Sequence, residues 1–494
     1  MNAATQNSLH NSSGILKLLL SVNFFFLFSF GIISFIWPRF VELTLGLLAI
    51  FQLLLFVQLS LFAKDIEPRL PSVGYLVGQI FCWVFGALGC IYLIEQHFKF
   101  GEHTIVTLQL LNLAILGGIL GSLLALLMKN KSRQVGSRMT LRSHQLIQAL
   151  FAFGSIYLLY LIVSIASGSL TARWEIGNYL APGSAAYYVR ALYFLQYPFF
   201  LFLGASCRGH LLSPSNAIKI LALFLCAILS GLTGGREAGV KFMIYFVFGL
   251  AYSGMNMRQI KFFGVALFFF ALMFISLIGA IRKYQNFQQA EMSEKISMAR
   301  NFFEENRFSR ENDDASLVEL FKRLAEPSGQ IVIDDVVESR HYVGFKNFDR
   351  LLFLFLPRFI VPEKKAMDEG YERLVEDHRF KYNPFSSAPM TLLADSFERG
   401  GYLAVFLISL TLTFLLTLLG RLLTQIPDSC LRILIISHFT VACMRIYSFS
   451  ALECVNFLTY IFLKEAIILG GILMLGRLFL PVRREESLAY SVKT

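Results

Sequence analysis

The chain has 494 residues, of which 56% are hydrophobic and 50 are phenylalanine. A soluble globular protein has about 45–50% apolar residues even when glycine is counted, so the composition excludes an ordinary soluble protein and indicates a polytopic membrane protein. The formal charge of +11 does not indicate a nucleic-acid partner, because the excess of basic residues falls in short loops between apolar runs, as membrane insertion requires.

Twelve apolar runs are long enough to cross a bilayer, which needs about 20 residues within a range of about 17–25. They predict an all-α polytopic fold with about 12 transmembrane helices. The first run is too long for a signal-peptide core and lacks a small-residue cleavage site, so we expect it to remain as a helix. The predicted spans are 15–37, 43–63, 73–95, 104–128, 146–166, 189–206, 217–233, 239–255, 262–281, 401–423, 431–449 and 464–480.

The loop 129–145 carries five Lys and Arg residues, which places it in the cytoplasm. Alternating outward from this loop puts both termini in the cytoplasm, with 18 Lys and Arg in the inner segments against 8 in the short outer ones. The chain then divides into spans 1–9 (1–281), one long outer region (282–400) and spans 10–12 with a cytoplasmic C-terminus (401–494). The outer region has 18 basic and 21 acidic residues, so the basic charge of the chain comes from the cytoplasmic loops.

Short elements are predicted inside the outer region. Segments 290–304 and 315–325 have the spacing of amphipathic helices. The apolar segment 351–356 is too short to cross and is ended by Pro357, so it predicts an interfacial or re-entrant piece.

The stretch LSGLTGGREAGV (229–240) places charges between two membrane-length runs. Gly234 and Gly235 allow close approach of the backbone, and the helix that follows presents free N–H groups and a positive dipole end to the outside. Arg236 adds a planar fork suited to phosphate oxygens. The pattern favours an outward-facing phosphate site, and the alternative is a tight helix hairpin whose arginine reaches the headgroups.

Two more stretches carry charge at the predicted outer boundary. In FLPRFIVPEKK (355–365), prolines stiffen a segment with Arg358 and Lys364, although a proline-ended turn with solvated charges gives the same pattern. In 386–407, Asp395, Glu398 and Arg399 come directly before span 10, where carboxylates also act as ordinary helix caps.

The sequence contains no nucleotide-binding loop and no cluster with metal-ligand spacing, and its seven cysteines form no CxxC pair. We therefore expect neither a metal nor a cofactor. His341 and His378 lie in the outer region and each could act as a base, although a plain surface histidine is the simpler interpretation.

Together these stretches resemble the Wzy-type O-antigen (oligosaccharide repeat-unit) polymerases of bacterial envelopes. The resemblance rests on an ordered set: a Gly-Arg turn between two helices, the L-P-R-x-x-x-P-x-K pattern in the outer region, and LLADSFERGGYLAVFL before and into span 10. It covers roughly residues 200–410. The chain departs from the family at Ala404, where the family's helix start has a second glycine.

The resemblance implies transfer of a glycan from an undecaprenyl-pyrophosphate-linked donor to the terminal sugar of another lipid-linked repeat unit, at the outer face of the bacterial inner membrane. Such a reaction needs cations for the departing pyrophosphate and an acceptor for the proton of the attacking hydroxyl. Glu398 or Asp395 is the expected proton acceptor, and His341 and His378 are the second-choice candidates. The expected pyrophosphate ligands are Gly234, Gly235, Arg236, Arg358, Lys364 and Arg399.

The partners expected under this interpretation are a lipid-linked oligosaccharide, membrane lipids and a chain-length regulator protein, with no nucleic acid. An O-antigen ligase would share the architecture and differ in its acceptor. A flippase or transporter of lipid-linked oligosaccharides is the alternative from another class, since twelve spans suit it. Against a transporter, the sequence has no repeat-related halves and few ionisable residues inside the spans.

Overall fold

The computed structural model describes residues 41–62, 66–93, 103–128, 141–166, 193–232, 236–281, 294, 297–298, 300–301, 327–353, 369–378 and 390–480. This part of the chain is 87% helix and contains no strand, which confirms the all-α prediction. Seven of its helices are long and apolar enough to cross a membrane, as in a multi-pass membrane protein. The finer prediction of about 12 spans stays a prediction.

The helices with defined bounds are numbered in chain order. Short 3-10 turns (Tyr193–Leu195, Phe348–Phe353, Ile446–Ser448) and π-helical turns (Phe81–Gly86, Phe457–Ile461) continue or connect them. The α-helices are α1 Val41–Phe62, α2 Ile66–Ile80, α3 Ala87–Leu93, α4 Thr104–Leu127, α5 Ser143–Ala166, α6 Gln196–Ala205, α7 Pro214–Leu232, α8 Arg236–Tyr252, α9 Met257–Ile281, α10 Pro327–Ser339, α11 Glu369–Glu376, α12 Leu392–Thr424, α13 Ser429–Cys443, α14 Ala451–Asn456 and α15 Phe462–Phe479.

Eleven of the predicted apolar runs coincide with described helices, because a run that is apolar on all faces pairs its backbone groups internally as a helix. The first run, 15–37, lies outside the described residues. Segment 315–325 also lies outside them, as does most of 290–304. Segment 351–356 contributes only its first residues, to the 3-10 turn that ends at Phe353.

The last predicted span begins earlier than expected. Instead of a loop before residue 464, the chain forms α14, the π-helical turn and α15 without interruption. The reason is a capping box: the Ser450 side chain accepts a hydrogen bond from the Glu453 N–H, and the Glu453 carboxylate accepts one from the Ser450 N–H at 2.5 Å. The charge of Glu453 therefore starts a helix here instead of marking a loop.

The chain separates into two compact units. Unit 1 consists of residues 1–134, 306–427 and 436–464, and unit 2 of residues 135–305, 428–435 and 465–494. The division predicted at 281 and 400 concerns sidedness in the membrane and stays a prediction.

In unit 1, α12 packs along α4 and α2, and glycines bring the helix backbones close. A Cβ built on Gly121 would lie 2.0 Å from the Leu410 carbonyl oxygen, and one on Gly117 would lie 2.6 Å from that of Phe406. Only glycine fits at this separation, as in the small-residue interfaces of membrane helices.

Hydroxyl side chains reinforce the same packing. The Ser409 hydroxyl donates to the Ala114 carbonyl at 2.6 Å, and the Thr417 hydroxyl donates to that of Ser122 at 2.9 Å. Because these side chains are buried, the bonds satisfy polar groups that would otherwise be left in an apolar interior.

Helix α10, from the predicted outer region, is attached to the start of α4. The Thr107 hydroxyl donates to the buried Gln330 side chain at 2.7 Å, and the Gln330 amide donates to Asp334 at 2.7 Å. Asp334 also accepts a hydrogen bond from the backbone N–H of His103 at 3.2 Å. These contacts fix α10 beside the spans of unit 1.

In unit 2, α8 packs against α6, α7 and α9. Aromatic rings fill the contact between α8 and α6, with ring centroids 4.4 Å apart for Phe200 and Phe242 and 5.4 Å apart for Tyr197 and Tyr245. Asp428 accepts a hydrogen bond from Arg477 within the same unit.

Replacing Gly121 by alanine is expected to lower the free energy of unfolding by about 1–3 kcal/mol, the usual cost of overpacking, because its Cβ would meet a backbone oxygen. Gly471→Ala is the matched control, since a Cβ at this helical glycine has no neighbour within 4 Å. Thermal unfolding of both variants in the same detergent checks the prediction. Equal melting temperatures for the two variants would contradict it.

Candidate functional site

The candidate site of unit 1 lies where α12 is broken. Gly400 and Gly401 have non-helical backbone angles, and Gly401 has φ of +66°, a region that residues with a Cβ rarely adopt. After the break, the part of α12 that ends at Thr424 has about 23 residues and a length of about 35 Å, enough for a hydrocarbon core of about 30 Å. The break therefore lies near one end of a membrane-length helix.

The turns before the break, Leu392–Arg399, are buried on all sides. They begin at Thr391, whose hydroxyl caps the helix by accepting a hydrogen bond from the Ala394 N–H at 3.4 Å. The sequence predicts that Asp395, Glu398 and Arg399 lie just before the helix. They lie inside these first helical turns instead, so their side chains are aimed by helix geometry.

Asp395 is completely buried, and both of its oxygens are occupied. Oδ1 accepts a hydrogen bond from Arg373 at 2.5 Å. Oδ2 accepts two more, from Arg399 at 3.0 Å and from the backbone N–H of Ala451 at 2.7 Å. Three donors saturate this carboxylate, which suits an anchor between α11, α12 and α14 better than a proton acceptor.

Arg373 connects the two carboxylates of the site. Its side chain is only 1% exposed, and its guanidinium donates to Asp395 with one nitrogen and to Glu398 with another. Glu398 is also buried, with 3% side-chain exposure. A buried guanidinium is tolerated only when opposite charges and hydrogen bonds surround it, and α11 is fixed to α12 by this contact.

His378 extends the cluster from Glu398 towards solvent. Its Nε2 lies 3.3 Å from Glu398 Oε1, and its Nδ1 lies 2.8 Å from Asp335 Oδ2. The Asp335 side chain is 47% exposed. A buried carboxylate is thus joined through one imidazole to a carboxylate that contacts water.

The environment of His378 acts on its pKa in two directions. Burial lowers the pKa, whereas hydrogen bonds and charges from Glu398 and Asp335 raise it, and the net shift is upward. The imidazolium therefore persists to higher pH than in a free histidine.

Arg399 fixes the segment that covers the break, residues 340–348, which we call the 340–348 turn. Its guanidinium donates to the carbonyls of Gly344 and Lys346, each at 3.1 Å. It also stacks on the Phe348 ring, 4.6 Å from the ring centroid. With these contacts and Asp395, Arg399 has a positioning role in this geometry.

Further ion pairs surround the cluster. Lys346 pairs with Asp377 at 2.7 Å, and Asp377 lies 3.8 Å from Arg373. Arg350 pairs with Glu372 at 2.9 Å. These more exposed pairs hold α11 to the segment before it and balance its charge.

The structure brings together four of the ten residues that the sequence singles out: His378, Asp395, Glu398 and Arg399. His341 is exposed in the 340–348 turn, with its N–H donating to the Ser339 hydroxyl. The other predicted phosphate ligands fall largely outside the described residues. Gly234, Gly235, Arg358 and Lys364 lie outside them, and Arg236 is seen only as the first residue of α8.

Two members of the cluster were not singled out. Arg373 lies in EGYERLVE, where charges on both sides resemble a solvated helix. Asp335 is adjacent to Asp334 in the sequence, but the two side chains have different partners: Asp335 contacts His378 and Asp334 contacts Gln330. Among the described residues, no group of three or more His, Cys, Asp or Glu side chains could hold a metal ion.

No protein-family model matches the chain, and neither a curated protein nor a solved structure matches it. The resemblance to oligosaccharide repeat-unit polymerases therefore stays a prediction.

Arg373→Ala is expected to cost about 3–5 kcal/mol of unfolding free energy, because it leaves buried Glu398 without its arginine partner and removes one of the two arginines that pair with Asp395. Neutralising Glu398 in the same chain (Arg373→Ala with Glu398→Gln) should recover part of the loss, because the buried Asp395–Arg399 pair stays intact. Arg258→Ala, at an exposed position, is the control and should stay within about 0.5 kcal/mol of the parent. Thermal unfolding measures all three, and a mild effect of Arg373→Ala would contradict the assignment.

Proposed function

We propose that the chain is a polysaccharide polymerase that joins undecaprenyl-pyrophosphate-linked oligosaccharide repeat units at the outer face of the bacterial inner membrane. Both termini are cytoplasmic in this proposal, and the 282–400 region is periplasmic. The observation that supports it best is the path from buried Glu398 through His378 to partly exposed Asp335, at the end of a membrane-length helix.

Glycosyl transfer of this kind requires a proton acceptor. The acceptor sugar's hydroxyl oxygen forms a bond to the donor's anomeric carbon, and the bond from that carbon to the pyrophosphate oxygen breaks. Undecaprenyl pyrophosphate leaves with the electron pair, and the hydroxyl proton must go to a base. In this proposal Glu398 takes the proton, and neutral His378 passes it on to Asp335 and water.

The leaving pyrophosphate requires cations to balance its charge. Arg373 and Arg399 donate to carboxylates and carbonyls of the chain, so they orient the proton acceptor in this proposal. Arg236, Arg358 and Lys364 remain the predicted pyrophosphate ligands, with Gly234 and Gly235 allowing close approach.

A proton-coupled flippase of lipid-linked oligosaccharides is a second candidate, favoured by one observation. Transporter sites are often formed where a membrane helix is interrupted and ionisable groups are buried, and α12 combines the Gly400–Gly401 break with buried Glu398 and Arg399. The two functions differ in their products, since only a polymerase makes a new glycosidic bond.

Glu398→Gln is expected to reduce polymerisation by about 10²–10⁴-fold, the usual contribution of a general base, because the amide keeps the shape and removes the proton-accepting charge. The assay uses purified chain in nanodiscs with undecaprenyl-pyrophosphate repeat units and follows glycans longer than one repeat. Glu376→Gln, an exposed change on α11, should keep parental activity.

Three outcomes would contradict the proposal. Parental activity of Glu398→Gln would remove the carboxylate from the proton step. Movement of intact lipid-linked units across the membrane with no new glycosidic bond would favour the flippase. In a deletion strain, loss of all glycan from the lipid A core, instead of collapse to a single repeat, would indicate a ligase.

The pH profile tests the relay separately. Polymerisation should rise with pH as the His378 imidazolium loses its proton, since only the neutral ring can receive another. Asp335 helps to raise the pKa of His378, so Asp335→Asn should lower that pKa and move the acidic limb of the activity profile to lower pH. A limb that stays in place or moves to higher pH would contradict the relay, and Glu338→Gln, an exposed change on the same helix, is the control.

A further inference from the structure

The 340–348 turn presents aromatic side chains outward. Phe345 is 86% exposed and Tyr342 is 49% exposed. A large apolar side chain that is held outward on a fixed segment often indicates a contact surface.

The backbone of this turn is fixed to the broken helix. The Val343 N–H donates to the Glu398 carbonyl at 3.0 Å, and Arg399 holds the carbonyls of Gly344 and Lys346. Phe345 is thus displayed at a defined place beside the helix break.

The exposed aromatics continue onto the membrane-length part of α12. Tyr342 packs edge-on against Phe397, and Phe397 packs edge-on against Tyr402, with ring centroids 6.4 Å and 5.5 Å apart. Tyr402 and Leu403 are themselves 46% and 65% exposed, at the start of that helix. The exposed apolar start of the membrane-length part of α12 therefore lies next to the turn, joined to it through buried Phe397.

We propose that the 340–348 turn lies in the headgroup layer of the bilayer, with Phe345 and Tyr342 at the boundary of the acyl chains. Aromatic side chains concentrate at this level because one side of their environment is apolar and the other is wet. Arg340 is exposed beside them and matches anionic headgroups in charge. A lipid surface fits better than a protein partner, because the patch is continuous with a membrane-length helix.

This placement has a consequence for the buried cluster. Because Val343 is hydrogen-bonded to Glu398, a turn in the headgroup layer puts the Glu398–His378 pair at the membrane–water boundary. A lipid-linked pyrophosphate carries its phosphates and first sugar at the same level. That consequence rests on the proposed function, whereas the contact between turn and lipid does not.

Site-directed spin labelling in nanodiscs tests the contact. Cysteine is introduced singly at Phe345 and His341 in the turn, at Leu403 as a lipid-facing reference and at Glu376 as an exposed aqueous reference. The background carries Cys226→Ser, since Cys226 is the native cysteine that is not fully buried. Collisions of each nitroxide with molecular oxygen, which partitions into lipid, and with a water-soluble nickel chelate are then measured.

The oxygen-to-nickel accessibility ratio at residue 345 is expected to be several-fold above that at residue 376 and to approach that at residue 403. The ratio at residue 341 should fall between the two references. A ratio at 345 equal to that at 376 would place the turn in water and overturn the proposal. Low accessibility to both probes would show a protein partner covering the turn, which would overturn it too. The two accessibility measurements do not require enzymatic activity. A negative result for the lipid contact is therefore distinguishable from a negative result in the polymerase assay.

Discussion

A guanidinium buried between two carboxylates is the interaction on which unit 1 most depends. Arg373 is 1% exposed, and an unpaired charge at that depth would cost far more than an ordinary hydrogen bond contributes. Its two carboxylates come from one helix, α12, and are spaced so that both meet the same side chain. Pairing with both fixes α11 against α12, and α11 in turn delivers His378 to Glu398.

The charged cluster lies directly before the break in α12 and is balanced in charge. Two arginines and two carboxylates sum to zero, so the cluster can be buried next to a membrane-length helix without net charge. The backbone is not helical at Gly400 and Gly401. The turns Leu392–Arg399, which carry the charged cluster, therefore need not share the axis of the membrane-length part of α12. Asp395 near the start of α12 is favoured by the helix dipole, and its bond to the Ala451 N–H also ties in the start of α14. The Ser450 capping box completes that junction.

Much of the fold is predictable because a segment that crosses lipid must pair its own backbone N–H and C=O groups, which a helix does. Apolar runs of membrane length become helices, and eleven of the twelve coincide with described ones. The capping box at Ser450 is readable in principle, since Ser-x-x-Glu is a helix-start pattern, but the apolar runs predict the last span only from residue 464. The Gly400–Gly401 break cannot be read so directly, because a glycine pair inside an apolar helix is equally compatible with tight packing.

The site was predictable in part, for a physical reason. Asp395, Glu398 and Arg399 stand out because they are charges next to a span, which is a local property of the sequence. Arg373 and Asp335 do not stand out, because their importance comes from partners 22 and 43 residues away. Local patterns indicate which charges lie near the membrane but not which of them will be buried together.

The number and kind of hydrogen-bond partners distinguish the roles of Asp395 and Glu398, which look alike in the sequence. Asp395 and Glu398 are both acidic, both buried and one helical turn apart. Asp395 accepts from two arginines and one backbone N–H, so protonating it would break an anchor that joins three helices. Glu398 has one oxygen on Arg373 and the other on a histidine, which can exchange a proton. In the proposed reaction, proton movement in this cluster is therefore confined to the Glu398–His378 side, and the Asp395–Arg399 side keeps the geometry constant.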